Sequence, residues 1–328
     1  MRPPRISPTG YRRIVVAALA SLVLIMVTGA AVRLTGSGLG CSTWPTCEAD
    51  SFTPRSASDV HGMVEWVNRL ITGVLMLFTV AAVLGARWRR PFRPDLYRWS
   101  LGLPAWVVAN ALVGALVVWL ELSPVSVIGH FLLSIGSVWN AVVLLERASL
   151  PDPDTGPAPS GAAAPPAPPA RRELATPRLV ALCRALLVAA AAVVVTGTLV
   201  TGSGPHAGDE RADRLDLVVG DVVRVHGITM VVFLALTVAA ARRAHRGDAG
   251  DAVGQRLHTL LVVLVGQAAI GYWQYFTGVP ALLVGFHVFG AACVWIAVLR
   301  VWLAVRPPVV APATAGAART PSAEPATV

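Results

Sequence analysis

Apolar residues run along this chain in eight blocks, near 14–34, 61–86, 99–120, 124–145, 179–201, 217–241, 256–276 and 281–304, broken only by short polar stretches. About 20 apolar residues of helix cross the hydrocarbon of a bilayer. Each block is at least that long or close to it, so the pattern predicts an all-α membrane protein with eight transmembrane helices. Composition agrees: 55% of the residues are hydrophobic and only 14% charged, which excludes an ordinary soluble domain.

The polar stretches are strongly basic. All 27 basic residues are arginine, against 18 acidic ones, for a net charge of +9. Such a surplus points to nucleic acid only when it forms a continuous face; here the arginines fall between apolar blocks, and no nucleic-acid partner is expected. Arg12 and Arg13 precede the first block, Arg87 to Arg98 fill the second connection, Arg171 and Arg172 precede the fifth block, and Arg242 and Arg243 follow the sixth. By the positive-inside rule these segments and both termini face the cytoplasm. The first apolar run has no small-residue cleavage pattern and belongs to the repeat below, so it is expected to stay as a helix rather than act as a signal peptide.

The segment after residue 150 is almost wholly Pro, Ala, Gly and Ser, a composition that cannot bury a core. It divides the chain into an N-terminal four-helix half (1–150), a disordered cytoplasmic linker (151–178), a C-terminal four-helix half (179–306) and a disordered tail (307–328).

The two halves repeat one another. ThrGlySerGly stands at 35–38 and again at 201–204; AsnAlaLeuValGly at 110–114 matches GlnAlaAlaIleGly at 267–271; and GluTrpValAsnArg at 65–69 aligns with ArgValHisGly at 224–227. With four helices per half, both halves enter the membrane in one orientation. The expected arrangement is therefore two parallel four-helix bundles about a pseudo-two-fold along the membrane normal, not an inverted repeat.

The repeat aligns Asn68 with His226 and His130 with His287; residue 68 to residue 130 is 62 positions, and residue 226 to residue 287 is 61. All four lie about two turns inside the outer ends of even-numbered helices, roughly 10 Å deep. A lone histidine in a membrane helix is more often a hydrogen-bonded packing residue than a ligand. A repeated pair at matched depth asks for another reason, and two axial imidazoles on a haem b iron supply it. His226 and His287 are thus the candidate ligands of a closed site. His130 and Asn68 frame an open one, since an amide is a poor ligand for iron. His245 and His258 lie beside arginines and are expected to be solvated; His206 is expected at the surface of an outer loop.

Cys41 and Cys47 share the first outer loop. A disulfide, a redox-active dithiol and transient haem or metal capture are all compatible with their spacing, and the oxidising side of the membrane favours the disulfide. Cys183 and Cys293 read as small apolar residues. Glu65 lies inside an apolar run, with His61 four positions before it and Asn68 three after, on one helical face. A carboxylate there can handle protons or stabilise a cationic intermediate. It can equally pair with Arg69 or sit against the helix dipole.

Together, ThrGlySerGly with the cysteine loop, GluTrpValAsnArg, ThrGlySerGlyProHis at 201–206, and His130, His226 and His287 resemble the haem A synthase family over roughly residues 11–305. The resemblance implies a membrane oxidoreductase of the bacterial plasma membrane that converts the C8 methyl of haem O to a formyl group for cytochrome oxidase biogenesis. It also implies a resident haem b on His226 and His287, a haem O substrate in the N-terminal half, a catalytic Glu65 and a cysteine pair at Cys41 and Cys47. Electrons would leave through the haem b half to an acceptor the sequence does not specify. Haem O synthase, cytochrome oxidase assembly factors and a second copy of the chain are the partners such a protein could have. Many family members carry histidine where this chain has Asn68; His61, seven residues earlier on the same helical face and about 10 Å away along the axis, could substitute only if the substrate sits higher or tilts, and otherwise His130 alone, or no residue, would hold the substrate iron. The competing functions are a non-enzymatic bis-histidine membrane cytochrome and a small-molecule transporter with rocking halves.

Overall fold

The computed structural model describes residues 5–152 and 175–307. All eight expected helices are there: α1 (Pro8–Leu34), α2 (Val60–Trp88), α3 (Pro94–Trp119), α4 (Pro124–Ala148), α5 (Pro177–Ser203), α6 (Val219–Arg243), α7 (Asp251–Phe276) and α8 (Ala281–Val305). Each is long and apolar enough to span a membrane. The expected linker and tail lie almost entirely outside the described residues. At its far end the linker was drawn too long, because α5 already begins at Pro177.

Hydropathy places some helix starts late: α1, α3 and α7 begin five or six residues before their apolar blocks, α1 and α3 with proline in the first turn. Side-chain caps mark the starts of α1, α2 and α5. Ser7 accepts from Gly10 N–H at 3.1 Å and is followed by Pro8. Asp59 accepts from Gly62 N–H at 2.9 Å at the head of α2, and Thr176 from Leu179 N–H at 3.3 Å before Pro177. Proline at the first helical position loses no hydrogen bond, because that N–H has no intrahelical partner anyway. Such polar first turns extend a helix beyond the hydrocarbon without entering an apolar count.

Each half closes into a ring of four. α1 packs on α2, α2 on α3, α3 on α4 and α4 on α1; the same sequence of neighbours joins α5, α6, α7 and α8. Between the halves α4 packs on α8, α1 on α8 and α4 on α5. One apolar core runs from Tyr11 and Leu22 through Leu103 and Leu144 to Ala292 and Leu299 of α8. A second joins Leu186, Phe233, Leu260 and Val298. Trp295 of α8 donates to the Ile135 carbonyl of α4 at 3.2 Å, fixing the contact between the halves.

At the arginine-rich end the arginines do more than mark topology. Arg89 and Arg93 are 1% and 2% exposed. Arg89 reaches Asp152 at 2.7 Å and Arg93 reaches Asp95 at 2.8 Å. Glu146 of α4 takes Arg256 of α7 at 2.7 Å and Arg300 of α8 at 2.8 Å, bridging the two halves. At the cysteine end, loops do the joining. Gly38 N–H donates to the Gly208 carbonyl at 2.9 Å. Arg33 donates to the His206 carbonyl at 2.6 Å and to Thr201 at 2.9 Å. His206 is therefore not a free surface residue: its Nε2 donates to the Val279 carbonyl at 2.9 Å and ties two loops together. His245 and His258 are exposed, as expected.

Candidate functional site

His226 on α6 and His287 on α8 occupy diagonal corners of the C-terminal ring, six to seven residues after their helix starts at Val219 and Ala281. Each is backed by a glycine on the odd-numbered helix beside it. A Cβ at Gly197 of α5 would stand 3.2 Å from Cε1 of His226, and one at Gly271 of α7 would stand 3.0 Å from Cε1 of His287. A side chain at either position would crowd the imidazole on the neighbouring helix.

The two rings are held differently. Thr196 Oγ1 lies 3.1 Å from Nδ1 of His226. Nδ1 of His287 is buried without a partner. That histidine is held instead through its backbone, whose carbonyl accepts from Gln267 Nε2 at 2.8 Å. Gln267 in turn lies against Gly290, where a Cβ would overlap its amide oxygen.

The N-terminal ring follows the same plan with one change. His130 of α4 lies over Gly114 of α3, where a Cβ would meet Cε1 at an ordinary 3.5 Å. Its Nδ1 is buried and unpartnered. Ser134 lies 3.0 Å from the His130 carbonyl and 2.8 Å from Asn110 Oδ1, a relay in the place where Gln267 acts directly. Asn68 of α2 has its Oδ1 buried without a partner. On α1, nothing comes within 4 Å of where a Cβ of Gly29 would be.

Those glycines were missed as site residues, although two of them end the quoted repeat at 110–114 and 267–271. The signal for the others was a further repeat: ValThrGly stands at 27–29 on α1 and at 195–197 on α5.

Glu65, His61 and Asn68 share one face of α2, yet their side chains have different partners. The Glu65 carboxylate, on a residue 6% exposed, accepts from Cys41 N–H at 2.8 Å and from the Arg69 guanidinium. Arg69 also donates to the carbonyls of Thr43 and Thr46, both at 2.9 Å. The ion pair weighed from sequence as the bland alternative is therefore present, and it organises the loop closed by the Cys41–Cys47 disulfide. Of the three cysteine readings the disulfide is the one found; Cys183 and Cys293 are free thiols on helices. Gly40 presses on the first turn of α2, where a Cβ would overlap the His61 carbonyl. The exposed His61 ring meets Ser37 Oγ at 3.0 Å through Nδ1. Among the described residues no hydrogen bond links His61 or Glu65 to Asn68 or His130. The stripe is one face of sequence but two working environments.

The donor set of the C-terminal half fits a haem. Among the described residues no group of three or more His, Cys, Asp or Glu could hold a bare metal ion. Two imidazoles suffice when a porphyrin brings the equatorial nitrogens. Both rings are backed by glycine, and an imidazole whose Nδ1 is buried without a partner, as in His287, is unusual for a side chain that serves only to pack.

Two cavities lie away from the histidines. One, of about 620 Å³, is lined by Val180, Arg184, Trp302 and Arg306 at the arginine-rich end of α5 and α8. The histidines sit instead on half-buried faces between helices.

The family model for the cytochrome oxidase assembly protein, COX15-CtaA, matches residues 12–207. The match covers more than half of the chain and stops before α6, so it takes in His130 but neither His226 nor His287. Curated relatives include a Heme A synthase from Geobacillus thermodenitrificans, 36% identical over 101 residues, 30% of this chain and 31% of the relative. Another, from Bacillus pumilus, is 30% identical over 126 residues, 38% of this chain and 40% of the relative. A Protoheme IX farnesyltransferase from Thermus thermophilus is 38% identical over 95 residues, 28% of this chain and 15% of that protein, so most of the farnesyltransferase chain has no counterpart here. The chain thus spans well under half the length of these relatives.

Proposed function

The chain belongs to the cytochrome oxidase assembly protein family, and we propose from that premise that it oxidises the C8 methyl of haem O to the formyl group of haem A. The observation that carries this reading is the repeated glycine-backed imidazole, doubled in one half and single in the other. His226 and His287 would hold a haem b, which supplies one-electron chemistry when bound. His130 would meet the substrate haem on one side, with the Asn68 amide on the other. That pairing leaves the substrate with fewer iron bonds than the resident group, as release of a product requires.

Glu65 is proposed to act close to this N-terminal crevice. Its charge, held by the Cys41 amide and Arg69, is in place to favour a cationic intermediate or to pass a proton at its carboxylate. The Cys41–Cys47 loop would cover the crevice. Conversion of a methyl to a formyl group adds one oxygen atom, which water can supply, and releases four electrons and four protons, so an acceptor outside this chain is required. The name of the Thermus relative fits the same chemistry, since a farnesylated haem is the substrate proposed here.

Two similar neighbour rings, joined by α1 on α8, α4 on α5 and α4 on α8, support the parallel two-fold: exchanging α1–α4 for α5–α8 leaves that set of contacts unchanged. The positive-inside rule supports a cytoplasmic arginine-rich end, with the cysteine loop outside the plasma membrane.

The test is pigment analysis. Cells making this chain together with a haem O source should accumulate haem A, and the purified protein should carry low-spin haem b. A protein that binds haem b but makes no haem A would instead be a bis-histidine membrane cytochrome. The engagement of Glu65 by Arg69 favours that second reading, because it gives the carboxylate a structural task.

A further inference from the structure

In three of the four repeat positions an imidazole lies over a glycine, and the residue before that glycine differs. It is Val113 before Gly114, Ile270 before Gly271, and Thr196 before Gly197. Only α5 thus offers its histidine a hydrogen bond as well as space. The Thr196 hydroxyl lies 2.9 Å from the Ala192 carbonyl, to which it donates, so its oxygen is left to accept. That oxygen therefore calls for a proton on Nδ1 of His226, leaving the Nε2 lone pair as the free donor. Thr229 closes the arrangement: its hydroxyl lies 3.1 Å from that of Thr196 and donates to the His226 carbonyl at 2.8 Å. His287 has no such support, its Nδ1 being buried and unpartnered.

We propose that Thr196 is a positioning residue that fixes the tautomer and plane of His226 and makes its Nε2 the stronger of two unequal axial donors. The proposal rests on the haem b reading given above. A hydrogen bond from the far nitrogen of a ligating imidazole orients the ring and raises its basicity. A more basic donor favours ferric over ferrous iron, so the Thr196 bond lowers the reduction potential of the C-terminal haem. The neighbouring Gly197 supplies the room and Thr196 the direction, from adjacent positions on one helix.

The experiment is redox titration of the purified, haem-loaded protein and three variants, read by the haem b absorption bands. Thr196→Val keeps the shape and removes the acceptor; it is expected to retain a bis-imidazole spectrum with the ferrous form favoured up to about tenfold, a rise of up to about 59 mV for one electron. Thr196→Ser keeps the hydroxyl and should return the potential to that of the unaltered protein. Thr198→Val removes a hydroxyl that is buried on the same helix but bonds only the Val195 carbonyl, at 2.6 Å; it should leave the potential where it is.

An unchanged potential in Thr196→Val, or an equal shift in Thr198→Val, overturns the proposal. If Thr196→Val loses its haem, the serine variant decides: a normal potential there upholds the hydroxyl's role, and loss there too assigns Thr196 to packing and overturns it. Absence of a bis-imidazole spectrum in the unaltered protein would sink the haem b reading itself, a separate outcome.

Discussion

In the ring formed by α5 to α8 the diagonal helices carry imidazoles on both sides, whereas in the ring formed by α1 to α4 one side carries His130 and the other the amide of Asn68. The backing is correspondingly different. A Cβ at the backing glycine would stand 3.0 and 3.2 Å from the C-terminal rings, against 3.5 Å from His130 and open space at Gly29. Over the N-terminal ring alone lies a loop closed by a disulfide and held by Glu65 and Arg69. One framework thus gives a tightly built site and a looser, lidded one. What distinguishes a permanent group from a transient one is the number and rigidity of its donors, not the fold around it.

The comparison breaks most completely at the tight site. His226→Ala and His287→Ala are each expected to abolish the low-spin haem b spectrum, since the facing helices offer no second strong donor at that depth. His130→Ala should leave that spectrum intact and lower the occupancy of substrate haem. Loss of haem b from His130→Ala would mean the two rings had been assigned the wrong way round.

Next comes the lid. Glu65→Gln keeps size and one hydrogen bond but leaves Arg69 without its counter-charge, so haem A yield is expected to fall on the order of a hundredfold while haem b stays bound. The variant should also be cut faster by protease in the 41–47 loop. Haem chromatography and limited proteolysis read the two effects separately. Normal haem A yield with a loosened loop would make Glu65 a loop anchor only.

A smaller effect is expected where the halves are made alike. Asn68→His places a second imidazole opposite His130, and Gly29 leaves it space. Tightly bound six-coordinate haem should increase, and turnover should slow because product leaves less readily. Absorption spectra and haem content per protein measure this; if neither changes, Asn68 does not face the substrate.

The glycine series gives the finest comparison. Gly271→Ala and Gly197→Ala bring a methyl to 3.0 and 3.2 Å of a ring and should shift the haem b bands or weaken binding severalfold, with the larger effect at Gly271. Gly114→Ala, at 3.5 Å, should alter substrate-haem occupancy least. Equal effects at all three positions would contradict the difference in tightness.

Much of this architecture is legible in the residues. Eight helices follow from apolar run length, because an unsatisfied backbone in hydrocarbon leaves the chain almost no alternative. The alignment of Asn68 with His226 and of His130 with His287 needed only the spacings, because a helix converts sequence offset into depth at a constant rise. Other features were hidden for identifiable reasons. Arg89 and Arg93 read as topology markers, since a charge between apolar blocks looks the same whether it meets water or a buried carboxylate. His206 looked like a surface residue because the Val279 carbonyl it binds is 73 positions away.

What the sequence determined by itself was the eight-helix membrane class, the depth of the four repeat positions and the identity of the chemical groups there, all of which depend on local composition and helix pitch. The tertiary structure decided what each group faces. It turned Glu65 to the cysteine loop, set Thr196 beside His226, left His287 Nδ1 alone and opened space at Gly29. These outcomes depend on distances of a few tenths of an ångström between helices far apart in the chain, and no pattern along a single strand of residues carries that information.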